Sequence, residues 1–140
     1  MIVLDTNVVS EPLRARPDAA VADWLDRQAI ETLYLTTVTL AELRFGVAAL
    51  PAGRRRDRLG ERIENDVLAA FEGRILAFDE PASAAYAALR ARARNRGLAI
   101  GTPDAYIAAI ATVHGFAVAT RNVRDFEGTG VELIDPWRNS

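Results

Sequence analysis

The chain opens Met1-Ile2-Val3-Leu4-Asp5-Thr6-Asn7, and the reading of these seven residues decides the fold. Three apolar residues read as a buried strand, the run ends abruptly in Asp5-Thr6-Asn7, and a helical pattern follows at once. A carboxylate at the C-terminal tip of an N-terminal strand stands where open α/β sheets place their ligands. A hydrophobic core has no use for an Asp at that point. The rest of the chain is therefore read for residues that converge on Asp5.

Outward from this stretch, strands and helices alternate. Residues 7–14 read as a short helix interrupted at Pro12, and Pro17-Asp18 opens a second helix with Val21, Trp24 and Leu25 on one side. Residues 33–37 (LYLTT) read as strand two, after which Thr39-Leu40-Ala41-Glu42 has the form of a capping box beginning a helix to about Leu50. Pro51-Ala52-Gly53 breaks the pattern before a long amphipathic helix over roughly 54–71. Strand three is expected at 74–78, an Ala-rich helix from Pro81 to about Arg96, and a further helix opened by Thr102 as N-cap with Pro103 and Asp104 in its first turn. Residues 116–120 form strand four, 121–130 a loop, and 131–134 a last strand before Pro136-Trp137.

This alternation predicts a single α/β domain over residues 1–140, three layers α/β/α, with a central, mostly parallel sheet of about five strands. In such a sheet the strands end, and the returning helices begin, at one edge. Asp5, Glu42, Asp104, Asn122 and Asp125 are all expected there.

Composition narrows the chemistry. There is no cysteine, all 17 basic residues are Arg, and His114 is the single histidine. Disulfides, thiol nucleophiles, Cys-ligated zinc, lysine bases, Schiff bases and Walker-type phosphate loops are excluded. A formal net charge of −2 assigns any nucleic-acid role to local Arg clusters rather than to a global field. No apolar run is long enough to cross a bilayer, and no secretory signal fits ahead of Asp5, so a cytoplasmic location is expected.

Each acid taken alone has a plain structural reading: Glu42 as a capping residue, Asp104 as a partner of the helix dipole. Together they are harder to explain, because carboxylates about 4 Å apart repel by roughly 4 kcal/mol per pair at an effective dielectric near 20. A hard divalent cation among them relieves that repulsion, and oxygen ligands without His or Cys select Mg²⁺ or Mn²⁺ rather than zinc. Such an ion can activate water and neutralise charge on a phosphodiester.

The motifs IVLDTN, TLAEL, GTPDAYIAAIA and VATRNVRDF, in this order and with the LPAGRRRDRL stretch and the closing Pro136-Trp137, resemble a PIN-domain ribonuclease. More narrowly, the chain resembles the VapC toxins of type II toxin–antitoxin systems, in the FitB-like branch, along its whole length. The resemblance implies a Mg²⁺- or Mn²⁺-dependent endoribonuclease leaving 5′-phosphate and 3′-hydroxyl ends. It carries the metal-binding roles onto Asp5, Glu42 and Asp104. Many relatives have a fourth acid in a T-x-D element; here that element is Thr120-Arg121-Asn122, which leaves an amide at the catalytic position and Asp125 as an outlying acid. Thr6 and Thr120 are supporting hydroxyls or simple turn caps. Arg121, and after it Arg44, are candidate phosphate contacts, although Arg44 can equally ion-pair. The resemblance also implies a VapB-type antitoxin partner, a homodimer, a larger hetero-oligomer with the antitoxin, and no membrane association.

Two Arg-rich stretches, Arg54 to Arg62 and Arg90 to Arg96, read either as solvated helix surface or as RNA contacts. His114 before Gly115 reads as a helix-end residue. Other classes fit less well. A haloacid-dehalogenase-type phosphatase needs a second acid where Asn7 stands and a Lys, and a receiver domain lacks the same Lys. A non-catalytic PIN-like module for RNA or protein is the alternative to the nuclease.

Overall fold

A computed structural model describes residues 1–138. Five strands form one sheet: β1 (Ile2–Leu4), β2 (Leu33–Thr36), β3 (Ile75–Leu76), β4 (Ala117–Ala119) and β5 (Leu133–Ile134), in the order β3-β2-β1-β4-β5. Every pairing is parallel. β1 is the central strand, and the strand order reverses on either side of it, which opens a crevice at its C-terminal end.

The register explains the layers. Val3 pairs with Tyr34 and Val118, and Val118 with Leu133, so these side chains share one face of the sheet. They pack beneath α6 (Glu80–Asn95) and α7 (Thr102–His114), in a core with Leu89, Ile107 and Phe126. Ile2 pairs with Leu33, Leu4 with Ala119, and Leu35 with Ile75, facing the other way. There they meet Val8 of α1 (Thr6–Ser10), Trp24 of α2 (Ala19–Arg27), Leu40 and Leu43 of α3 (Thr37–Ala48), and Ile63. The expected three-layer α/β/α architecture is what the chain adopts. Strands as short as two residues suffice because both faces are covered and their pairing is reinforced by burial.

Several boundaries differ from the sequence reading, each for a local reason. α3 has no capping box at Thr39. It begins directly at the end of β2, and Thr36, extended at φ −114° and ψ 158°, caps it by accepting a 3.1 Å hydrogen bond from the Thr39 N–H. A last strand residue thus doubles as the cap, and Glu42 lies one turn further into the helix than a capping residue would. The helix from Arg54 is α-helical in α4 (Arg54–Glu61), π-helical over Arg62–Val67, and α-helical again in α5 (Leu68–Ala70). α7 is capped by Gly101 rather than Thr102, which shifts its start by one residue. β3 and β5 are each shorter than expected. The crossover from β3 to β4 is a helical hairpin in which Tyr86 stacks on Tyr106 and Arg90 approaches Thr102. Among the described residues, no helix is long and apolar enough to cross a membrane.

Candidate active site

Asp5 sits at the end of the central strand with only 4% of its surface exposed. Its backbone continues the sheet by donating to the Ala119 carbonyl at 2.9 Å, and its side chain caps α1. One carboxylate oxygen accepts from the Thr6 N–H at 2.8 Å, and the other from the Thr120 hydroxyl, also at 2.8 Å. Thr120 is fully buried, and its Oγ in turn accepts from the Asn122 N–H at 3.0 Å. Both oxygens of Asp5 are therefore fixed by residues from opposite ends of the chain. Burial holds its carboxyl above the ordinary range, with Glu42 and Asp125 adding to the rise against the pull of Thr120 and Thr6.

Glu42 reaches the same edge from α3, since side chains on a helix lean towards its N-terminus. The Thr6 hydroxyl donates to Glu42 Oε1 at 2.6 Å and lies 3.2 Å from Thr39 Oγ1. With its one proton given to Glu42, Thr6 must accept from Thr39. Thr39 is buried and freed from capping by Thr36, so it can play this part.

Asp104 stands in the first turn of α7. Its carboxyl is pushed up to about 6 by burial first, then by the negative charges of Asp5, Asp125 and Glu42. Those three charges bear on Asp104, and those of Glu42 and Asp125 bear on Asp5 as well. Asn122 and Asp125 flank the turn after β4, where the Asp125 N–H donates to the Asn122 carbonyl at 2.9 Å. Asn122 occupies the position expected of a fourth acid but adds no charge; Asp125 supplies it.

The two arginines separate. Arg121 borders the site: its N–H donates to Asn7 Oδ1 at 3.3 Å, and its guanidinium lies 5.1 Å from the centre of the Trp137 ring. Arg44 binds both Glu64 oxygens at 3.1 and 2.8 Å, an exposed pair that ties α3 to the π-helical turn. Thr39, expected only as a cap, and Asn7 and Trp137, expected in no supporting role, prop the site. The run Thr36-Thr37-Val38-Thr39 is the signal that announces the first: more hydroxyls than one cap requires.

Among the described residues, no three acidic or histidine side chains form a ready-made cage for an ion. The donor set nevertheless suits a hard cation. It is all carboxylate and amide oxygen, without nitrogen or sulfur, and the mutual repulsion recorded at Asp104 is what a divalent charge would relieve. Among the described residues, no arginine is ion-paired with any of these four acids.

A family model described as the PIN domain matches residues 2–131. The VapC ribonuclease Y4jK of Sinorhizobium fredii is 56% identical over 137 residues, covering 98% of both chains. The toxin FitB of Neisseria gonorrhoeae is 48% identical over 139 residues, covering 99% of this chain and all of that one. A crystal structure of FitAcB, also from Neisseria gonorrhoeae, superposes with a TM-score of 0.96 at 47% identity, covering 99% of this chain and 100% of its own.

Proposed function

The chain belongs to the PIN-domain family, and from this we propose that it is a Mg²⁺- or Mn²⁺-dependent endoribonuclease, the toxin of a type II toxin–antitoxin pair, acting in the cytoplasm. The observation that carries this reading is the four-acid field around a fixed, buried Asp5. Asp5, Glu42 and Asp104 would hold the ion, which when bound supplies an acidified water and neutralises charge developing on the phosphodiester. Thr120 and the Thr6 N–H fix the orientation of Asp5, and the Thr6 hydroxyl, backed by Thr39, fixes Glu42. Preorientation of this kind removes reorganisation cost when the reacting charge develops. Asn122 offers a neutral oxygen at the rim. Arg121, braced by Trp137 and Asn7, presents a guanidinium for the phosphate beside the scissile bond.

The partner reading has its own support. A groove of about 930 Å³ runs from Thr6 and Glu42 between α1, α3 and the Arg54 helix. Its walls include Leu13, Leu43, Leu59 and Ile63, and its rim carries Arg14, Arg54, Arg55 and Arg58. This suits an amphipathic antitoxin segment with apolar anchors and acidic flanks, one end of which would bring a cation to the carboxylates. A homodimer, enlarged by the antitoxin, completes the proposed assembly.

The test is RNA cleavage by purified protein with Mg²⁺ or Mn²⁺, beside Asp5→Asn and Asp104→Asn. Cutting that needs the ion and is lost in both variants is expected. Cutting that survives EDTA or both substitutions overturns the mechanism, and RNA binding without any cutting leaves the non-catalytic module.

A further inference from the structure

We propose that the C-terminal tip of α6, through Arg90 and Arg94, binds the phosphates of the single-stranded RNA that flanks the cleaved bond. The proposal rests on the nuclease reading above and adds to it the path of the substrate.

The first observation is one of charge. Between Glu80 and Asp104 the chain contains no acid, yet it carries Arg90, Arg92, Arg94 and Arg96. Among the described residues, none of the four stands within ion-pair distance of a carboxylate. The other Arg-rich helix differs in composition, with Asp57, Glu61 and Glu64 interleaved among its arginines, though among the described residues none of those arginines is ion-paired either. In a protein of net charge −2, four uncompensated cations on one helix end are a concentrated positive field.

The second is placement. A groove of about 810 Å³ is lined by Arg90, Arg94, Asn95, Leu98 and Ile100, and contains no acid. Arg90, one of its lining residues, also reaches the first turn of α7, where Thr102 stands two residues before Asp104. Arg90 is held at this junction. Its guanidinium donates to the Tyr86 hydroxyl at 2.9 Å, lies 5.5 Å from the centre of that ring, and reaches Thr102 Oγ at 3.5 Å. Tyr86 is itself stacked on Tyr106 at 4.9 Å, which stiffens the support. Arg94, one turn on, is exposed on the same face.

The physical need is plain. An ion among the acids neutralises them locally, but the neighbouring phosphates of a bound strand still meet a negatively charged sheet edge. Cations just outside that edge hold the strand in register, and guanidinium forks suit phosphate oxygens. Single-stranded RNA is favoured over an acidic protein segment because Arg90 both lines the groove and reaches the helix turn that carries Asp104, where the phosphodiester would lie.

The probe is a fluorescein-labelled single-stranded RNA, its Kd read by anisotropy in EDTA over about 50 to 200 mM salt. Arg90→Gln/Arg94→Gln is expected to weaken binding about tenfold and to lower the slope of log K against log salt by about 1.4, roughly 0.7 per phosphate contact. Arg94→Gln alone, at an exposed site that folding does not need, should produce about half that slope change. Arg27→Gln, a charge-matched change on α2, should alter neither quantity. In cleavage assays KM should rise while kcat holds. An unchanged slope in the double variant, an equal effect of Arg27→Gln, or an altered oligomeric state with RNA affinity intact each overturns the proposal. A wild type that binds RNA through this tip but never cuts it fails the nuclease reading and leaves the surface standing, so the two failures are distinct.

Discussion

Asp5 and Asp104 meet at one edge of one sheet under opposite conditions. Asp5 is buried, and both its oxygens are engaged, by the Thr6 N–H and the Thr120 hydroxyl. Asp104 has no comparable clamp, and its carboxyl is pushed up to about 6 by burial and by the other acids. One half of the site is fixed by the scaffold; the other is held against repulsion. The difference teaches that both acids share the burial and the charge, while hydrogen-bonded orientation belongs to Asp5 at the end of β1, so that clamp and charge can be perturbed separately.

In catalysis the comparison should vanish. Asp5→Asn and Asp104→Asn are each expected to cut kcat by about a thousandfold, about 4 kcal/mol on the barrier, read by single-turnover RNA cleavage. A variant retaining a tenth of wild-type activity would show that its half is dispensable. In stability the comparison should reappear with opposite signs. Asp5→Ala orphans buried donors and should cost about 2 to 3 kcal/mol in urea melts with EDTA present. Asp104→Asn removes repulsion without orphaning anything, and should leave the metal-free protein as stable or more so. A large loss there would break the division.

A titration sharpens the same contrast. The carboxyl of Asp104 is pushed up to about 6 from its ordinary 3.8, so between about 4 and 6 the folded state binds more protons than the unfolded one. Stability of the metal-free protein should therefore fall as pH rises through that window, by on the order of 1 kcal/mol once solvent screening is allowed for. Asp104→Asn should flatten the slope. The smallest effect is expected from Asn122→Asp. Adding a fourth acid should tighten Mn²⁺ binding by about fivefold, roughly 1 kcal/mol, and lower the stability of the ion-free form. Calorimetry with Mn²⁺ reads the first and a thermal melt the second.

Much of this was legible in order along the chain. The β1 strand and the acids after it follow from local pattern, and the parallel sheet follows from alternation. What the sequence could not disclose was geometry between distant residues. Thr36 and Thr39 are both credible caps, and only the absence of a loop between β2 and α3 decides for Thr36 and releases Thr39 to Thr6. Asn122 and Asp125 are three apart, and motif position favours the first while charge falls to the second. Arg44 was a candidate for phosphate until α3 set it opposite Glu64. Likewise, four arginines on two faces of a helix gave no direction until the α6–α7 hairpin put Arg90 beside Thr102.

The bond between Thr120 and Asp5 spans 115 residues of chain. Synthesis delivers Asp5 long before Thr120, and β1 can pair with β4 only once the residues between them have been made. Contacts this distant in sequence form late, because the intervening chain must first be ordered. A growing chain short of Thr120 therefore has Asp5 without its partner and lacks β4 beside β1. The clamp on Asp5 is completed only when β4 has been made and has docked beside β1.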